Sequence, residues 1–315
     1  MGRLRQDARH QMKVAYAILA LCAVISLAAC SGGGAGGSGA GTAAAATGPT
    51  GASFDQPASV EMPTVSQDGP SIDISHDADG YVIAHSSSAA RLKFQVASGD
   101  MTYNYDLPND DTPTVYPINM GNGAYRFRIM KNTDGNNYVE LESVEDDVAL
   151  SSEFAPFTIP NQFCDYDETS QCVQIARQVT ASAANQGEAV QAVCEYVVDN
   201  VSYDTDKAQL LSTTTGYIPN PDDTLATGTG VCFDYASLGA AMLRSQGIPT
   251  KIITGYVSPG DLYHAWIMVY IDGSWHTGEF SVDPDTWSRV DLTFAASGST
   301  EFTGDGTSYT DRYVY

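Results

Sequence analysis

Basic side chains are scarce in this chain. Fifteen lysines and arginines face 38 aspartates and glutamates, for a formal net charge of −23. So acidic a surface disfavours nucleic acid and repels anionic membranes, and its simplest consequence is solubility. No nucleic-acid partner is expected. Histidine is rarer still: the five are scattered, and no Cys or His spacing supplies a zinc ligand set, so neither a metal nor a cofactor is expected. Long apolar runs are missing apart from Val14 to Leu27, broken by Ser26, which is too short to cross a bilayer comfortably.

That run has its own meaning. Arg3, Arg5, Arg9 and Lys13 precede it and Leu27-Ala28-Ala29-Cys30 ends it, the order of a secretory signal. Small residues before a cysteine resemble the lipobox of bacterial lipoproteins, which implies that Cys30 is lipidated and becomes the first mature residue. Met12 could be the true start, because the segment from there already carries charge, apolar core and cleavage site. Removing residues 1–29 leaves 11 basic against 37 acidic side chains. Residues 31–65 are rich in Gly, Ala and Ser, a composition unable to bury a core, and read as a disordered tether. The expected location is outside the cytoplasm, anchored by lipid to the bacterial cell membrane. Ser31 would permit an outer-membrane address if the host has one.

Residues 66–150 alternate with period two in Tyr81-Val82-Ile83, Leu92 to Val96, Tyr103 to Leu107, Tyr125 to Ile129 and Tyr138 to Leu141. Asp79-Gly80, Asn122-Gly123 and Asp134-Gly135 punctuate them, which predicts a small antiparallel β-sandwich with a spacer or recognition role. From 151 to 315 the pattern changes. Val190, Val193, Val197 and Val201 make the apolar stripe of a helix over 188–201, and a polar loop is expected over roughly 205–230. A second helix begins at Cys232 and stops at Gly247-Ile248-Pro249, followed by strands from Lys251 to Val257 and His264 to Ile271. Helices on one side of an antiparallel sheet make an α+β domain.

Cys232 lies where turn residues give way to a helix, in Gly230-Val231-Cys232-Phe233-Asp234. Unpaired N–H groups and the helix dipole stabilise a thiolate there. On the later strand His264 shares a face with Trp266, Met268 and Tyr270, and the aliphatic face opposite should be core, turning His264 towards the helix or a cleft. Asp291 follows in Trp287-Ser288-Arg289-Val290-Asp291. Cysteine, histidine and carboxylate supply a nucleophile, its base and the group that orients the base. Among the other cysteines, Cys164 and Cys172 flank an acidic turn and could pair in an oxidising compartment, whereas Cys194 reads as an inert buried thiol.

Gly230 to Ala236, Met242 to Pro249, Gly255-Tyr256, His264-Ala265-Trp266 and Asp291 to Phe294 together resemble the transglutaminase-like superfamily, in particular its bacterial secreted and lipoprotein members. The resemblance covers residues 188–294. It implies a papain-like α+β fold and a triad of Cys232, His264 and Asp291. In the family the acid lies four residues after a tryptophan and is followed by Pro-Thr; Asp291 keeps the tryptophan and the threonine but not the proline. Asp283, in Val282-Asp283-Pro284, is the alternative acid, and Glu279 ranks last; residues 276–286 read as an inserted hairpin. Tyr217, Tyr235, Tyr256, Tyr263 and Trp266 could line a substrate cleft. The implied chemistry is attack by Cys232 on an amide of a peptide or protein at the cell envelope, through a thioester. Hydrolysis is the expected outcome, transfer to an amine the alternative, and a non-catalytic surface-binding module a third reading.

Overall fold

The computed structural model describes residues 69–257, 262–271, 275–277, 280–282, 286–296 and 309–315, with Val60 and Met62. The signal segment, Cys30, most of the tether, Glu279 and Asp283 lie outside the described residues. None of the described helices is long and apolar enough to cross a membrane.

The alternating segments form two antiparallel sheets. One contains β1 (Ser71–Asp73), β2 (Tyr81–His85) and β5 (Thr114–Pro117), in the order β1-β2-β5. The other contains β3 (Leu92–Ser98), β4 (Met101–Leu107), β6 (Gly123–Asp134) and β7 (Asn137–Val148), in the order β4-β3-β6-β7. Alternate residues of both, including Val82, Phe94, Tyr105, Tyr116 and Phe127, meet in one core. Their neighbours Lys93, Gln95 and Asn104 face outward, as a half-buried pleat requires. The short β1 and β5 carry too little alternation to be read in the sequence.

The second core forms around α5 (Cys232–Arg244), in which every residue from Asp234 to Arg244 is buried. On it pack α1 (Gln171–Thr180), α2 (Gln186–Asn200) and α4 (Pro221–Thr227). Val190, Val193 and Val197 are fully buried there, each contributing about 1.5–3 kcal/mol of transfer free energy. The region expected to be a polar loop instead holds α3 (Thr205–Leu211) and α4. Asp204 accepts from the Lys207 amide, and Asn220 accepts from the Asp223 amide ahead of Pro221. Gly228, at φ 62°, closes α4 with a left-handed cap. These are ordinary capping signals, overridden in the sequence reading by the segment's polarity.

Across α5 lies the sheet β14-β11-β10-β15, from β10 (Thr250–Val257), β11 (Leu262–Tyr270), β14 (Trp287–Val290) and β15 (Tyr309–Val314). Between β11 and β14 the chain forms a separate hairpin, β12 (Trp275–Thr277) on β13 (Phe280–Val282). A Cβ on Gly255 would lie 2.1 Å from the Thr310 carbonyl oxygen, so only glycine lets β15 close on β10. Beyond β15 the Tyr315 ring reaches both cores, 5.8 Å from Tyr103 in the first and 6.5 Å from Phe233 at the second. Arg244, fully buried, donates to the carbonyls of Thr250, Ile159 and Tyr315 at 2.8, 2.9 and 2.8 Å.

Candidate active site

Two short strands bring the nucleophile's surroundings together. β8 (Ser202–Tyr203) runs parallel to β9 (Thr229–Gly230), with Tyr203 opposite Gly230, just ahead of α5. A Cβ on Gly230 would stand 2.6 Å from that of Asp234, so the approach needs glycine. Asp234 is fully buried in the first turn of α5 and accepts the Val231 amide at 2.8 Å. Its other partners are the Tyr217 hydroxyl and, at 2.7 Å, the Lys207 ammonium. This fastens the turn before Cys232. Cys232, half-buried, and Phe233 open the helix, and their amides are among the orphan donors of any helix start.

His264 projects from β11 and is buried, at 4% exposure. The aliphatic face of β11 (Ala265, Ile267, Val269) packs into the core with α5. His264 therefore sits on the opposite face, beside Trp266, rather than turning towards the body of the helix. Phe294 stacks on the imidazole at 4.7 Å and 13°. The imidazole Nε2 lies 2.8 Å from Asp291 Oδ2. Asp291, 1% exposed, ends β14 and starts α6 (Leu292–Ala296), accepting the Phe294 amide on Oδ1 at 3.0 Å and the Tyr309 hydroxyl on Oδ2 at 2.9 Å.

Burial is the largest single influence on the imidazole and opposes its protonation. The charge and hydrogen bond of Asp291, with the hydrogen bond and charge of Cys232, outweigh it and raise the pKa from 6.5 to about 10. With Nε2 committed to Asp291, Nδ1 is the nitrogen left to serve Cys232. The structure thus places the imidazole between a carboxylate and a thiol, a setting that favours its protonated form.

Neither Phe294 nor Tyr309 was identified as a site residue from the sequence. Phe294 had a signal, since Asp291 caps the short helix that carries it. Tyr309 had none, because only pairing of β15 with β10 brings it to the site.

The sequence-predicted cleft divides. Tyr217 and Tyr263 border a cavity of about 750 Å³. Tyr256 and Tyr263 are cross-strand partners in edge-to-face contact at 5.4 Å. Two residues are corrected. Tyr235 is fully buried and donates to the Val201 carbonyl at 2.6 Å, since it points from α5 into the helical layer. Trp266, 1% exposed, fills the space that Gly255 leaves and meets Tyr309 edge-on at 4.9 Å. Neither can touch a substrate. The pairing allowed for Cys164 and Cys172 is not formed. Both are buried, and separate hydrogen bonds hold their backbones: Cys164 to Asn161, and Cys172 through its amide to the Asp222 carboxylate. Burial pushes the Cys164 thiol up to about 11 and the Cys172 and Cys194 thiols further in the same direction. Among the described residues no group of three His, Cys, Asp or Glu could hold a metal ion.

Residues 173–292 match the family described as the transglutaminase-like superfamily. They form a transglutaminase-like core. An uncharacterized protein of Mycobacterium leprae (strain TN) is 34% identical over 80 residues, which are 22% of this chain and 29% of that protein. The match therefore spans less than a third of that relative. Among solved structures, one from Cytophaga hutchinsonii described as a proposed cysteine protease is 17% identical, covering 79% of this chain and 77% of its own at a TM-score of 0.40. Red sea bream transglutaminase is 12% identical, covering 71% and 49% at a TM-score of 0.30.

Proposed function

We propose that this protein is a cysteine-dependent acyl-transfer enzyme that hydrolyses amide bonds of peptides or proteins at the bacterial cell envelope. One observation carries the reading: the buried His264 lies 2.8 Å from Asp291 and within hydrogen-bonding reach of Cys232 at a helix start. Cys232 Sγ, as the thiolate paired with His264 imidazolium, attacks the carbonyl carbon. The amides of Cys232 and Phe233 receive the developing oxyanion. His264 gives its Nδ1 proton to the leaving amine, leaving a thioester on Cys232. Water, deprotonated by the now neutral Nδ1, then releases the acid and restores the thiol. Asp291 keeps Nε2 protonated throughout, so the proton traffic passes through Nδ1 alone.

Hydrolysis is preferred over transfer to an amine because Cys232 stands partly open to solvent, which gives water access to the thioester. The lipobox-like Leu27-Ala28-Ala29-Cys30 supports anchoring through a lipid on Cys30. The test measures peptide hydrolysis and amine incorporation with the protein and its Cys232→Ala variant. The reading expects cleavage that the variant loses. Incorporation without cleavage would replace hydrolase by transferase, and turnover equal in both proteins would remove Cys232 from the chemistry. Membrane fractionation of wild type against Cys30→Ala tests the anchor.

A further inference from the structure

The 750 Å³ cavity is of ligand-binding size and has two unlike walls. One includes Tyr217, Ile218, Phe233 and Tyr263, where Phe233 follows the candidate nucleophile and Tyr263 precedes the candidate base. Ile218 is 39% and Tyr263 49% exposed, an apolar surface left without a covering element. The other wall is the outward face of β3 and β4, with Arg91, Lys93, Gln95, Asn104 and Asp106.

The charges on that wall are not all spent. Arg91 is held by Asp106, with Nε at 2.9 Å and Nη2 at 2.6 Å from Oδ1. Gln95 donates to Asn104 Oδ1 at 2.7 Å, which occupies the oxygen of this exposed side chain and not its amide hydrogens. Among the described residues no carboxylate lies in salt-bridge range of Lys93, whose ammonium stands 5.9 Å from the Tyr138 ring centroid. Lys93 is opposite Asp106 and diagonal to Asn104, within reach of a common ligand. The cavity thus offers one uncommitted cation and a neutral donor pair, in a chain of net charge −23. Five of the fifteen basic side chains fall between Arg91 and Lys131, so the cationic groups of this acidic chain are concentrated in the segment that supplies this wall.

We propose that this cavity is a substrate subsite for an aspartate or glutamate of the peptide. Lys93 and Asn104 receive its carboxylate, while Ile218, Phe233 and Tyr263 cover the adjoining apolar part of the chain. This gives the outward face of β3 and β4 a role in specificity. It rests on Cys232 being the nucleophile only in that the subsite then serves that nucleophile.

The test uses decapeptides built on alanine and tyrosine, with one Glu, Gln or Lys walked through the sequence. Two readouts run in parallel: kcat/KM of the wild-type protein, and binding to Cys232→Ala by fluorescence anisotropy of labelled peptides. The expected result is a Glu:Gln preference of about tenfold or more at one position in both readouts. Lys93→Glu should invert that ratio and Lys93→Met should bring it near one, while circular dichroism confirms folding of both variants. Hydrolysis with no positional preference for Glu, a preference for Lys, or a Glu:Gln ratio unmoved by either variant overturns the subsite. A Glu preference in binding, abolished by Lys93→Glu, with no hydrolysis by the wild type, sustains the subsite and removes the catalytic reading instead.

Discussion

Replacing Asp291 by asparagine should disable the site without unfolding it, and the hydrogen bonds say how. Three donors converge on this carboxylate: the Phe294 amide on Oδ1, and the Tyr309 hydroxyl and His264 Nε2 on Oδ2. Asparagine has one acceptor oxygen. The Phe294 amide is fixed in the backbone and cannot become an acceptor, so the oxygen takes the Oδ1 place and the NH2 group faces His264. The imidazole can adapt, by moving its proton from Nε2 to Nδ1. Nδ1 then donates where it must accept, and the imidazolium loses its counter-charge. The rise from 6.5 to about 10 corresponds to about 5 kcal/mol of preference for the imidazolium, and Asp291 supplies its largest favourable causes. With burial left to dominate, His264 should be neutral at pH 7. A tautomer error of this kind costs a catalytic triad about 10⁴-fold, or about 5.4 kcal/mol at 1.36 kcal/mol per decade, the same order as the lost imidazolium preference. The assay is the burst of nitrophenol released from p-nitrophenyl acetate, paired with NMR of the His264 ring across pH 5–11. A burst within tenfold of wild type, or a ring still titrating near 10 in the variant, would refute the reasoning.

Four further outcomes follow from the same geometry. Tyr309→Phe removes one donor from Asp291 Oδ2 and should slow acylation by roughly tenfold, the worth of one hydrogen bond to a charged group, read in the same burst assay. In a Cys232→Ala background the thiol's own titration is gone. Because the folded pKa of His264 lies above the unfolded one, its stabilising contribution should be complete below pH 6.5 and fall towards pH 9 by up to about 1.4 kcal/mol per pH unit; urea titrations should show that slope vanish when Asp291→Asn is added. Arg244→Met strands three carbonyls and should cost at least about 3 kcal/mol in urea unfolding, with a midpoint within error of wild type counting against the role given to this arginine. Gly255→Ala drives a Cβ into the Thr310 carbonyl, so it should lower stability by about 1–3 kcal/mol and reduce the burst, because displacing β15 carries Tyr309 away from Asp291.

The sequence by itself determined much of this protein. Alternation marked β3, β4 and β6, because a half-buried strand must alternate, while β2, buried along its whole length, and the largely exposed β7 were marked by β-branched and aromatic residues between turn signals. The valine stripe marked α2, and Cys232 at a turn-to-helix junction with Gly247 as the stop marked α5. Cys232, His264 and Asp291 were each named from local motifs, with Asp283 kept as the alternative acid, because helix starts and strand faces are written within a few residues whereas the partner of a return strand is not.

What the sequence could not decide were contacts made between distant segments. The register of β14 on β11 sets Asp291 against His264, with Ile267 opposite Val290. The pairing of β15 with β10 delivers Tyr309 from a tail with no local signal. Which tyrosines stay at the surface was equally hidden, since Tyr235 and Tyr263 differ only in the element each meets: one is packed under α2, the other left at the rim. The uncommitted charge of Lys93 is also tertiary, because Arg91 takes Asp106 only once β3 and β4 are paired. Local chemistry names the groups; long-range packing decides which of them face one another, because each such choice is settled by burial and hydrogen-bond satisfaction summed over the whole fold.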